Sequence, residues 1–95
     1  GNGTQRRRIV YDGCMLTVEF TIEPFIEGAP GAHVTAAVAA VEKRGLIVEF
    51  GPFGSSFSVP KDELPEAVAD LMRAAYANGA TFVSVDVGSL DGSQA

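Results

Sequence analysis

The chain has 95 residues, 46% hydrophobic and 20% charged, which makes one small core and excludes an intrinsically disordered chain. Seven Lys and Arg stand against twelve Asp and Glu, a net charge of −5. Three of the seven basic residues are Arg6, Arg7 and Arg8, so from Ile9 onward four basic residues face twelve acidic ones. Such a body repels phosphate backbones and attracts cations, which argues against a nucleic-acid-binding role.

Residues 1–14 are polar and then basic, and are expected to be a flexible N-terminal extension. Met15 stands just before the first strong pattern and is a candidate natural start, with the preceding residues a cloning scar or upstream extension; the alternative is a basic tail for an acidic partner. Cys14 is the lone cysteine, so neither an internal disulfide nor a thiolate metal site can form, and a reducing compartment is expected. No apolar run reaches the roughly 18 residues of a membrane span, and no apolar leader follows the first residue. A cytoplasmic protein is expected.

Leu16, Val18, Phe20 and Ile22 alternate with Thr17, Glu19, Thr21 and Glu23, the period of a strand with one buried face. Pro24 ends it, and 27–31 is a loop rich in glycine and proline. From Ala32 to Arg44, Val34, Ala37, Val38 and Val41 fall on one helical face. Lys43 and Arg44 suit the negative helix end, and Gly45 suits a left-handed cap. Leu46–Phe50 reads as a second strand, 51–54 as a turn and Ser55–Val59 as a third strand, so a hairpin is expected. Asp62 is the expected N-cap of a second helix, with Pro65 in its first turn. Leu64, Val68, Leu71, Met72, Ala75 and Tyr76 form its apolar stripe, and Asn78-Gly79 its stop. Thr81–Val87 reads as the last strand, and 89–95 as a flexible tail.

The order β-α-β-β-α-β predicts an α+β, ferredoxin-like domain over residues 15–88, with a four-stranded antiparallel sheet of order 4-1-3-2 and both helices on one face. Leu16, Val18, Phe20, Ile22, Val83, Val85 and Val87 should face the helices, with Leu46, Val48 and Phe50 if the second strand follows suit. The open face then holds Thr17, Glu19, Thr21, Glu23, Ile47, Glu49, Phe82, Ser84 and Asp86, joined by Ser56 and Ser58 or by the opposite set. That face is open to three readings: a solvated surface, a contact between sheets of two copies, or a platform for a cation or an aromatic ring.

This fold hosts many functions, so function has to come from a site. The third strand lacks the aromatic signature and basic surroundings of an RNA-recognition motif. A metal chaperone of this topology needs a Cys-x-x-Cys pair. The GxxG match of 51–54 has no nearby positive charge and reads as turn chemistry. His33, the lone histidine, stands at a helix start and reads as a surface or capping residue. Ser55 and Ser56 have no identifiable base to make them nucleophiles.

Three stretches carry a resemblance. They are Glu19-Phe-Thr-Ile-Glu-Pro24, the run from Val41 through Gly51-Pro-Phe-Gly-Ser-Ser56, and Ala77-Asn-Gly-Ala-Thr-Phe-Val-Ser-Val-Asp-Val87. Together they resemble the thiamine-binding (YkoF-like) family of small ferredoxin-like proteins, over about residues 16–87. The Gly-Pro-x-Gly-Ser/Thr element is the most specific part. Where many relatives follow it with Glu-Gly, this chain reads Phe57-Ser-Val-Pro60. The resemblance implies a non-catalytic small-molecule binding protein for thiamine or its hydroxymethylpyrimidine part. It also implies self-association to a dimer or tetramer, with no cofactor beyond that ligand; charge and the lack of a long apolar run already argue against a nucleic-acid or membrane partner. The physical reading agrees: a cationic thiazolium suits an acidic domain, and a flat ring suits hydroxyls and an aromatic wall such as Phe53 or Phe57. The expected ligand contacts are Ser55, Ser56, Phe53, Glu49 and Thr21. An amino-acid-sensing regulatory module and a structural oligomer without ligand are the alternatives.

Overall fold

A computed structural model describes residues 15–52 and 54–89. The elements follow the predicted order: β1 (Met15–Glu23), α1 (Ala32–Glu42), β2 (Glu49–Gly51), β3 (Gly54–Pro60), a single 3-10 turn (Lys61–Glu63), α2 (Leu64–Ala77) and β4 (Phe82–Ser89). They build a four-stranded antiparallel sheet in the order β2-β3-β1-β4, the arrangement expected of a ferredoxin-like α+β domain. Residues 1–14, including Cys14, and Phe53 and residues 90–95, for which the sequence also raised expectations, lie outside the described residues. β4 continues to Ser89, which pairs with Leu16, so the ladder reaches one residue into the expected tail.

Alternation in β1 works as its sequence dictates. Val18, Phe20 and Ile22 are buried while Glu19 and Glu23 are exposed. The core joins these three to Phe57 and Val59 of β3, Ala37 and Val41 of α1, and Ala67, Leu71 and Ala75 of α2. Alanines at the helix contact let the two helices and the sheet approach closely. The rings of Phe20 and Phe57 pack tilted, with centroids 5.9 Å apart, a favoured aromatic geometry. Outside the core, Arg44 Nε donates to Asp70 Oδ2 at 2.7 Å and ties the end of α1 to α2.

Several boundaries differ from expectation for local reasons. α1 stops at Glu42, where Lys43 N–H donates to Ala39 O and Gly45 takes the positive φ of 87° that a turn after a helix needs. Asp62 is not an N-cap: it lies in the 3-10 turn, and α2 starts at Leu64 with no side-chain capping bond. Pro65 does occupy the first turn. Leu46–Val48 has strand composition but no ladder. Val48 is held in the core by packing, and pairing with β3 begins only at Glu49.

Three apolar residues expected inside are exposed: Phe50, Tyr76 and Val87. Phe50 and Val87 are on the helix side of the sheet by register, opposite Ser55 and Val18, but they lie on the two edge strands. Tyr76 follows the buried Ala75 near the end of α2, past the stripe's inward centre. His33 reverses in the other direction. It is buried rather than on the surface, and its Nε2 lies 2.6 Å from Pro24 O. It ties the loop after β1 to the start of α1 and caps no helix.

Candidate functional site on the open face of the sheet

Strand pairing sets the register of the open face. Glu49 pairs with Ser56, Ser56 with Glu19, and Glu19 with Asp86. These four residues form one row across all four strands. Adjacent strands lie about 4.8 Å apart, so Glu49 and Asp86 are separated by roughly 14 Å along it. In the next row Thr21 pairs with Ser84, and Gly51 pairs with Gly54. Gly54 has φ +147°, and a Cβ there would stand 3.0 Å from both Phe20 O and Thr21 Cγ2. Glycine therefore lets β3 press against β1 at this corner.

The two rows line a cleft of about 390 Å³ that holds Glu19, Thr21, Glu49, Ser56, Ser84 and Asp86. Its lining carries three carboxylates and four hydroxyls, Ser55 being the fourth, but no basic side chain. The carboxylates are strung along the row: among the described residues, no group of three or more His, Cys, Asp or Glu is placed to hold a metal ion. The site is thus a diffuse negative field over hydroxyl hydrogen-bonding groups, suited to an extended cation and not to a compact divalent ion.

The expected site residues divide as follows. Glu49, Thr21 and Ser56 face this cleft together. Ser55 lies opposite Phe20 and Phe50, on the helix side of β3, and reaches the cleft at its end. The third-strand ambiguity is resolved, with Phe57 and Val59 buried and Ser56 and Ser58 on the open side. Phe57 cannot be an aromatic wall, because it is 3% exposed in the core. The described aromatics at the cleft's edge are Phe20, 3% exposed in the core, and Phe50, 68% exposed, and both lie on the helix side by register. Sequence reasoning placed Glu19, Ser84 and Asp86 on the open face without assigning them to a site. The missing signal was register: alternation gives a face, and only pairing gives a row.

Asp70 is the described group whose titration is clearly moved. The hydrogen bond from Arg44 holds its carboxyl below the ordinary value of 3.8, with Arg73 adding a smaller pull in the same direction. It lies on α2 and bears on stability, not on the cleft. Among the described residues no helix is long and apolar enough to cross a membrane.

No family model matches the chain, and no curated protein matches it. Solved structures do. A candidate thiamine biosynthesis or salvage protein from Thermotoga maritima is 21% identical with a TM-score of 0.61, covering 82% of this chain and 86% of its own. The domain of unknown function DUF77 from Bacillus cereus is 21% identical, with a TM-score of 0.57 over 78% of this chain and 72% of that one. A hypothetical protein from Methanocaldococcus jannascii is 23% identical, with a TM-score of 0.55 over 78% and 76%. The chain shares the fold of these three proteins.

Proposed function

We propose that this protein is a non-catalytic binding protein for thiamine or a hydroxymethylpyrimidine-type precursor, held on the open face of the sheet, and that it belongs with the thiamine-binding (YkoF-like) proteins. The observation that carries the reading is the row Glu49–Ser56–Glu19–Asp86 lining one cleft. Its three carboxylates offer the field a thiazolium prefers, and Ser56, Thr21 and Ser84 offer hydroxyls to an aminopyrimidine. The Thermotoga maritima neighbour lends support through its thiamine-related description. Ser55, at the end of the cleft, completes the contacts, with Phe53 kept as an expectation from the sequence.

Self-association is part of the proposal. Phe82 and Val87 on the edge strand β4 are exposed, as is Ile47 before the opposite edge. Covering such residues stabilises a small domain.

Isothermal titration calorimetry with thiamine, and with hydroxymethylpyrimidine in parallel, tests the reading. Saturable binding with a Kd on the order of 1 μM, about −8 kcal/mol, is expected for at least one. For thiamine it should weaken with added salt, because the attraction is electrostatic. Absence of heat from both at millimolar ligand would refute it.

A further inference from the structure

A second cleft, of about 370 Å³, opens under the loop between β1 and α1. Ile22, Phe25, Ile26, Pro30 and Val34 give it apolar walls, and His33 lies against it. Phe25 and Ile26 are 77% and 54% exposed, so two large apolar side chains stand at this cleft without full cover. Thr21, Ser55 and His33 are its polar side chains, and apolar walls with a few placed polar groups are the usual make-up of a small-molecule site.

The buried one among them is His33. The residue is 4% exposed. Its Nε2 stands 2.6 Å from Pro24 O. A carbonyl oxygen only accepts, so Nε2 carries the proton and donates. In the neutral ring Nδ1 is then a lone-pair acceptor, and it makes no hydrogen bond within the described residues. No described side-chain nitrogen or oxygen is both sealed from solvent and unpartnered, so Nδ1 keeps some opening, on a residue that lines this cleft. Gly31 makes room for this edge of the ring: a Cβ there would stand 2.6 Å from Cε1, 2.8 Å from Nδ1 and 2.8 Å from Ile26 Cδ1. The ring is thus fixed at one nitrogen, packed along its edge, and left with one directed acceptor in apolar surroundings.

We infer that this cleft is a second binding site, for a flat aromatic molecule whose ring N–H or O–H donates to Nδ1 of His33 while its body packs on Phe25, Ile26 and Val34. The carboxylate row has no part in it, so a failure of thiamine to bind leaves it standing. Its selectivity rests on the donor. An apolar ring without one leaves Nδ1 desolvated and unpaired, a cost a donor removes.

The test is an amide and imidazole NMR titration of the full chain with indole and, in parallel, 1-methylindole, which has the same ring system and no N–H. Indole is expected to give saturable shifts at Phe25, Ile26, Gly28, His33 and Val34 and to move the His33 Nδ1 resonance. It should bind about fivefold tighter than 1-methylindole, the ratio that one ordinary hydrogen bond supports. The methyl group makes the control more apolar, so burial alone predicts the opposite order. His33→Gln keeps a donor for Pro24 O but offers no Nδ1, and should abolish the preference. The wild-type comparison stands by itself if that variant folds poorly. Equal or tighter binding of 1-methylindole, shifts confined to the acidic cleft, or no saturable shift around His33 would each overturn the inference.

Discussion

Glu19→Gln is predicted to move stability and ligand binding in opposite directions. Glu19 stands directly opposite Asp86 on the neighbouring antiparallel strand, and Glu49 is two strands away in the same row. The described ion pairs both involve Asp70, so no base in them offsets this row. Directly opposed residues are about 5 Å apart at Cα, and two unit charges at that distance in a water-like dielectric repel by about 0.8 kcal/mol. Glu49, at roughly 10 Å, adds about half of that before screening and less with it. Removing the Glu19 charge should therefore stabilise the domain by about 0.5–1 kcal/mol at low ionic strength, a rise in Tm of about 2–8 °C. The gain should fade in 1 M salt, where the Debye length falls to about 3 Å. The same change removes a carboxylate from the cleft and should weaken thiamine binding about fivefold. Thermal melts in 10 mM and 1 M NaCl, with calorimetric titration of both proteins, measure the two effects. A Tm that falls at low salt, or a rise that salt does not touch, would refute the account of an unbalanced acidic row.

Other expectations follow from the same geometry. Leu71→Ala empties a fully buried position between α2 and the sheet and should cost about 2–5 kcal/mol, read as a lower denaturant midpoint with little change in slope. Gly54→Ala forces a Cβ onto φ +147° against Phe20 O and Thr21 Cγ2. It should cost about 1–3 kcal/mol, and the amide shifts it causes should centre on the β2–β3 corner of the cleft. Asp70→Asn removes the partner of Arg44. Because the folded-state pKa of Asp70 is lowered, the stability it brings is present above its unfolded value, near 3.8, and is lost as pH falls through the folded value. The wild type should exceed the variant in Tm at pH 7, and the two should converge in acid. Ser56→Ala should weaken thiamine binding more than Ser55→Ala, since Ser56 faces the cleft and Ser55 the helix side.

The fold was legible because its patterns are strong. Strict alternation in 16–23 and 81–87 and the spacing of Ala37 and Val41 each select one element, and glycines or prolines separate them. What escaped was decided by tertiary context. Phe50 and Val87 obey alternation yet stay exposed, because alternation names a side of the sheet and not the extent of helix covering it. His33 looked like a surface residue because its partner, Pro24 O, is nine residues away across a loop. The site was half legible. Glu49, Thr21 and Ser56 could be named from a motif resemblance and face alternation, but their union with Glu19, Ser84 and Asp86 depends on the pairing of β1 with β3 and β4.

The most direct measurement is an amide NMR titration of the full chain with thiamine. The account predicts saturable shifts at Glu19, Thr21, Glu49, Ser56, Ser84 and Asp86, lying along the two rows of the open sheet face. Saturable shifts that avoid these residues, or no shifts at millimolar thiamine and hydroxymethylpyrimidine, would contradict it.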